Sequence, residues 1–299
     1  TAQLDLTHRD QRGLTIGLNE FSGYVGLALA GIATAYLAVT LGPRLGLLLF
    51  GGATALLALL LAIFAVRETL PWTRALAIPG TGSPDLKPPR MATLFMRLSW
   101  NDRRLAALSQ AGLVEKFVDA LVWLVYPVYF YQRGLSLPEI GWVVGLYGFV
   151  WGLAQLVTGK LSDHLGRHRI NVIGMVVCGV GVAMVPLVDG MTWWSIAAVT
   201  SGVGMALLYP NLSAAVADFA DPQWRGAAIG IYRFWRDTGY AVGALAIGLS
   251  AQFISLTASF WIVAGAMLIS AMLLWRWGDE SLRHDAGRAL AYAATPKNR

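Results

Sequence analysis

The chain has 299 residues, is 56% hydrophobic with a mean hydropathy of +0.56, and carries only 13% charged side chains, against about 25% in a soluble domain. That composition excludes a soluble globular protein and describes an all-α polytopic membrane protein. The net charge of +6 does not point to nucleic acid, because 18 of the 23 Lys and Arg fall in loops and ends of one parity, two (Arg44 and Arg133) in loops of the other, and three inside spans. The basic side is then the cytoplasmic one.

Apolar segments of the roughly 20 residues needed to cross a bilayer fall at 14–40, 44–66, 104–132, 138–159, 169–188, 192–217, 224–249 and 252–275. An even number of spans, here eight, places both ends of the chain on the cytoplasmic side of a cytoplasmic membrane. The chain opens at Thr1 in a hydrophilic stretch without an initiator Met or a signal peptide, as a fragment or a processed chain would. Residues 1–66 form a first two-span unit, 67–103 a linker, 104–276 a six-span unit and 277–299 a tail.

In the linker, residues 68–90 are rich in Pro, Gly and charge. Beyond them, Met91, Leu94, Phe95 and Leu98 recur at helical spacing between Arg90 and Arg97. A short amphipathic helix fits, lying either in the headgroup layer or on the protein's own cytoplasmic face. The outward loops, near Gly42–Arg44, Arg133–Leu137, Asp189–Met191 and Gln252, are short and force neighbouring spans into antiparallel hairpins. Ser136, Pro138 and Glu139 read as a capped helix start. Pro210 removes a backbone hydrogen bond and is expected to kink or end the helix of span six. The lone Cys178 lies in an apolar run and reads as a small core hydrophobe. Trp193, Trp194, Trp275 and Trp277 sit at span ends, where aromatics anchor a helix at the interface.

Seven ionisable residues fall inside spans: Glu20, Glu115, Lys116, Asp119, Arg233, Arg236 and Asp237. Each costs ~2.5–3.5 kcal/mol at a helix centre, so they must pair or face a watery cavity. Arg233 and Asp237 are one turn apart and able to pair, and Glu115 and Asp119 share a face. One reading makes Glu20, Glu115, Asp119 or Asp237 the proton-coupling site, with Arg233 or Arg236 meeting an anionic substrate or a gating carboxylate. The other makes the set a structural ion-pair network. Tyr126, Tyr129, Tyr131, Trp123, Tyr147, Trp151, Tyr232 and Trp235 could line a cavity for an aromatic or amphipathic solute. The four histidines lie in loops or tails with no metal-ligand spacing, and no P-loop occurs. No enzyme, cofactor or metal site is expected.

Asp218 to Gly243 repeats the chain's opening in outline. Shifting it by 213 positions places Arg225 and Gly226 on Arg12 and Gly13, Ile229 and Gly230 on Ile16 and Gly17, and Gly239 on Gly26. Widely spaced repeats inside membrane helices mark transporters built from two related halves.

The sharpest motif runs from Gly159 through Lys160, Leu161, Ser162, Asp163 and Gly166 to Arg167, His168 and Arg169. It resembles the G-x-L-[SA]-D-x-x-G-R-[KR]-[KR] signature of the major facilitator superfamily, with His168 in place of one basic residue. Arg12-Gly13 and Arg225-Gly226 resemble that family's cytoplasmic entries to its fifth and eleventh helices, and Gly202 to Pro210 its tenth. The resemblance implies a bundle of twelve helices of which the eight here correspond to helices 5–12, with four further N-terminal helices of the same protein as missing partners. It also implies a gate in which Asp163 accepts hydrogen bonds from the amides where the first span opens, with Arg167 fixing its orientation. The bland alternative is that Lys160, Arg167 and Arg169 anchor the loop to anionic lipid. The function implied is secondary transport of a small solute by alternating access, coupled to protons. A non-transporting scaffold or sensor, or an incomplete remnant of the fold, is the alternative.

Overall fold

The computed structural model describes residues 12–65, 89–220 and 224–281; the side chains of 12–20, 159, 160 and 163 lie outside that description. The described residues are helical, without a strand. Helix α1 (Arg12–Leu41) turns at Gly42, whose φ of 81° suits glycine, into α2 (Pro43–Phe64), which opens on its proline. A short α3 (Met91–Met96) runs through a widened turn, Arg97–Asn101, into α4 (Arg103–Leu124). There follow α5 (Tyr126–Gln132), α6 (Leu137–Leu165), α7 (Arg167–Met184), α8 (Met191–Phe219), α9 (Arg225–Phe253) and α10 (Leu256–Trp277).

The rods coincide in position with the eight predicted spans, the third being interrupted at Val125 by Pro127 into α4 and α5. Five stretches are long and apolar enough to cross a membrane: Phe21–Leu41, Pro43–Phe64, Leu137–Thr158, Met191–Phe219 and Leu256–Trp277. The others are α4 and α9, which carry the intramembrane charges, and α7, which opens on Arg167, His168 and Arg169.

Helices α4 and α6 to α10 form one packed unit, with α8 against α6 and α7, α9 against α4, and α10 against α7. The α1–α2 hairpin docks on it through α6. That seam is built on Gly141, Gly145, Gly148 and Gly152 of α6, which meet Ala35, Ile32, Ala28 and Tyr24 of α1 in antiparallel order. A Cβ added at Gly141 would lie 2.6 Å from that of Ala35, so only glycine lets the two backbones come this close. The two copies of the repeat thus pack differently, α1 on α6 and α9 on α4.

Three expectations are corrected. Helix α8 does not end at Pro210 but continues to Phe219. The carbonyl that Pro210 cannot serve, Ala206 O, instead accepts a 2.8 Å hydrogen bond from the Thr158 hydroxyl of α6. Trp194 is no interfacial anchor: it is 2% exposed, packs on Phe130, and donates its indole N–H to the Val185 carbonyl. Asp237 pairs with its neighbour Arg236, not with Arg233. The α3 segment packs on the bundle, burying Leu94 and Leu98 and stacking Phe95 on Trp235 of α9, with Met91, Met96 and Trp100 left exposed. Cys178 is fully buried, and Ser136 N and Oγ both donate to Glu139 Oε2 at the start of α6.

Candidate functional site

On α4, Gly112, Glu115, Lys116 and Asp119 fall at helical spacing along one face. Against it lies α9, whose Gly239 and Gly243 sit on the Leu113 carbonyl, the Lys116 Cβ and Phe117, while Tyr232 packs on Gly112. This close approach seals Glu115 (0% exposed), Lys116 (2%) and Asp119 (0%) inside the bundle. Lys116 Nζ lies 2.7 Å from Asp119 Oδ2 and 3.7 Å from Glu115 Oε1. Two hydroxyls from other helices complete the shell of Asp119: Tyr147 of α6 donates to Oδ1 at 2.7 Å and Tyr240 of α9 to Oδ2 at 2.8 Å.

Aromatic faces close around the ammonium. Its nitrogen lies 4.9 Å from the Tyr209 ring centroid, 5.2 Å from Trp151 and 5.3 Å from Tyr240, a geometry in which ring quadrupoles attract a cation. The Arg236 guanidinium lies 5.1 Å from the same Tyr209 ring. Tyr24, on α1, stacks 3.7 Å from Trp151 and meets Tyr209 edge-on at 5.8 Å. The cluster therefore sits where the α1–α2 hairpin joins the six-helix unit, and both contribute to its wall. Buried charges are tolerated when they are paired and hydrogen-bonded. Asp119 meets that requirement with three donors. Glu115 has the ion pair to Lys116, but neither of its oxygens accepts a hydrogen bond among the described residues.

A second constellation lies where α6 turns into α7, at the end of the bundle that carries the glycine-aspartate-arginine motif. Gly166, at φ 94°, is the single residue between α6 and α7. The next residue, Arg167, donates from Nε to Asp218 Oδ2 at 2.6 Å, and the Ser281 hydroxyl donates to the same oxygen at 2.8 Å. Glu280 accepts from the backbone N–H groups of Arg167 (3.1 Å) and His168 (3.3 Å), filling otherwise open amides at the positive end of α7. Arg167 is thus engaged by Asp218, near the end of α8, and the segment after α10 is tied into the same knot.

Residues 108–291, well over half of the chain, match the family model described as the Major Facilitator Superfamily. The chain belongs to this superfamily. Over 248 residues it is 25% identical to an uncharacterized MFS-type transporter of Salmonella typhimurium, a match that covers 82% of the chain and 60% of the relative. Over 153 residues it is 29% identical to the 3-(3-hydroxy-phenyl)propionate transporter of Escherichia coli, covering 49% of the chain and 36% of that protein. The chain thus spans between about a third and three fifths of these relatives' length. A crystal structure of a D-xylose-proton symporter superposes with a TM-score of 0.68 at 16% identity, covering 93% of the chain and 66% of that structure. The fold is that of a major facilitator helical bundle, and the protein is an integral membrane protein.

Within this superfamily member the predicted site residues separate. Glu115, Lys116, Asp119 and Arg236 come together in the bundle. Arg233 and Asp237 lie on the exposed face of α9, as do Gly226 and Gly230. Arg169 is exposed; Arg225 opens α9. The side chains of Arg12, Gly13, Glu20, Gly159 and Asp163 lie outside the described residues. Of the expected cavity-lining aromatics, Tyr126 and Tyr129 are spent on core packing with Phe130 and Phe260, and Tyr131 points outward. Trp151 and Tyr147 reach the cluster, whereas Tyr24, Tyr209, Tyr240, Asp218 and Glu280 had not been singled out for these roles. Tyr240 alone carried a local signal, one turn beyond Arg236 on the charged face of α9.

Proposed function

We propose that the protein is a secondary transporter that moves a small solute across the cytoplasmic membrane by alternating access, coupled to protons, with both ends of the chain cytoplasmic. The observation that carries this reading is the Glu115–Lys116–Asp119 cluster, fully buried yet walled by aromatics from α1, α6, α8 and α9. An ion cluster of this kind is a poor stabiliser compared with apolar packing, which favours a role in the transport path. Lys116 and Arg236 supply positive charge beside Tyr209, Trp151 and Tyr24. This is the chemistry that receives an aromatic carboxylate, and the E. coli relative is named for one.

The cytoplasmic gate is part of the proposal. Asp163, in the last turn of α6, closes on the N-terminus of α1, while the knot of Arg167 with Asp218 and of Glu280 with the start of α7 holds the turn that follows it. The deciding experiment reconstitutes the full-length protein in liposomes and follows uptake of 3-(3-hydroxyphenyl)propionate and a panel of aromatic acids under an imposed pH gradient. Accumulation that collapses with the gradient supports the reading. Solute binding without flux would instead favour a non-transporting scaffold or sensor. Asp163→Asn should slow flux without preventing membrane insertion, and an unchanged rate would refute the gate.

A further inference from the structure

The three charges on α4 do not share their partners evenly. Asp119 holds one ammonium and two hydroxyls at 2.7–2.8 Å. Glu115, one turn towards the cytoplasm and equally buried, accepts no hydrogen bond among the described residues; its one ion pair is to the Lys116 ammonium, 3.7 Å away, with the Arg236 guanidinium acting from further off. An ionised carboxylate removed from water with its oxygens unserved costs several kcal/mol. A protonated one has no such penalty. Lys116 stands between the two acids, within hydrogen-bond distance of only one.

We propose that Glu115, and not Asp119, is the carboxyl that exchanges the transported proton, and that Lys116 reports its state to Asp119. The inference rests on the transporter reading above but assigns a step that reading leaves open among four carboxylates. In the described arrangement Lys116 serves Asp119, which leaves Glu115 as the acid placed to carry the proton. When the Glu115 carboxyl releases its proton to water, the new carboxylate competes for the same ammonium. As Lys116 Nζ moves towards it, Asp119 loses its one charged partner. The hydroxyls of Tyr147 and Tyr240, which tie α4 to α6 and α9, then hold a less compensated anion.

The groups that face Glu115 and Lys116 are few. Lys116 and Asp119 lie on α4, Arg236, Tyr232 and Tyr240 on α9, Tyr209 on α8, and Tyr147 with the Trp151 ring on α6. Helix α6 also bears the glycine seam to α1. A change at Asp119 therefore reaches, through Tyr147, the helix on which the two units meet.

The test needs no substrate, because its probe is the proton. Infrared difference spectra of the purified full-length protein are recorded as pH is stepped above the ordinary carboxylate range of about 4, where exposed acids are already ionised. We expect a protonated-carboxyl carbonyl band that disappears in Glu115→Gln, shifts but survives in Glu115→Asp, and in Asp119→Asn is lost at a lower pH than in the parent, because Lys116 is then free to serve Glu115. A band that survives Glu115→Gln overturns the assignment, and one that titrates unmoved in Asp119→Asn overturns the link through Lys116. Should Asp119→Asn fail to fold, Tyr147→Phe with Tyr240→Phe replaces it. Weakening the shell of Asp119 must move the pH at which the Glu115 band disappears, and an unmoved midpoint overturns the link through Lys116. Because the reading of the protein as a transporter is judged by flux in liposomes, either conclusion can fail without the other.

Discussion

The Tyr147 hydroxyl donates to Asp119 Oδ1 at 2.7 Å, joining α6 to α4 in the middle of the bundle with both groups fully buried. The bond explains the tyrosine at this buried position, since a buried hydroxyl needs a partner and a buried carboxylate needs donors. Tyr147→Phe removes one of the three donors while keeping the ring. We expect a loss of about 1.5–3 kcal/mol, the range for hydrogen bonds to charged groups. It is measured by chemical unfolding in detergent, and a variant as stable as the parent would show that Tyr240 and Lys116 suffice.

Thr158 and Pro210 are expected to behave as a coupled pair. Thr158→Val leaves the Ala206 carbonyl without a donor inside the bundle and should cost about 1–3 kcal/mol. Pro210→Ala returns a helical N–H to that carbonyl, so the same Thr158 change made in that background should cost much less. A double-mutant cycle in unfolding experiments isolates the coupling. Additive losses would mean that the hydroxyl does not serve the proline gap.

The seam between α1 and α6 makes a steric prediction. Gly141→Ala brings a methyl to 2.6 Å from the Ala35 Cβ, and overpacking of this kind costs about 1–3 kcal/mol. Gly51, on α2, has nothing within 4 Å of an added Cβ. Gly51→Ala should be neutral or stabilising by about 0.5–1 kcal/mol, the helical preference for alanine over glycine. Paired thermal melts in one detergent decide it, and equal shifts would contradict the close approach.

At the α6–α7 turn, Arg167 and Arg169 are two residues apart and differ in consequence. Arg167→Ala strips Asp218 of its charged donor and should destabilise by about 1.5–3 kcal/mol. Arg169 is exposed, and Arg169→Ala should stay within about 0.5 kcal/mol of the parent. Limited proteolysis of the α6–α7 turn offers an independent measure, with faster cleavage expected only for the Arg167 variant.

Much of the architecture could be read from the residues because membrane helices are written locally. Apolar runs, the proline at 43, the capped start at Ser136 and the glycine of the motif at 166 each act within one turn of chain. The need of Glu115, Lys116 and Asp119 for partners is legible for the same reason, as charges in an oily helix must pair or meet water, but that rule does not separate them from Arg233 and Asp237 on the exposed face of α9. The partners were not legible. Asp119 and Tyr240 are 121 residues apart, Arg167 and Glu280 113, and Thr158 and Ala206 48. Helical phase says which face is special but not which neighbour meets it. For that reason Tyr24 and Tyr209 went unremarked, and Asp237 was matched to the arginine one turn away instead of the adjacent one. Pro210 looked like an interruption because its remedy is carried by another helix.

Glu280 and Ser281 lie beyond the end of α10, where a designer shortening the protein would be tempted to cut. A chain ended at Trp277 keeps α1 to α10, yet it gives up the carboxylate that caps α7 and the hydroxyl that steadies Asp218. Affinity tags and reporter fusions therefore belong after Ser281, since a join placed earlier trades an unremarkable-looking tail for the clasp that holds three helix ends together.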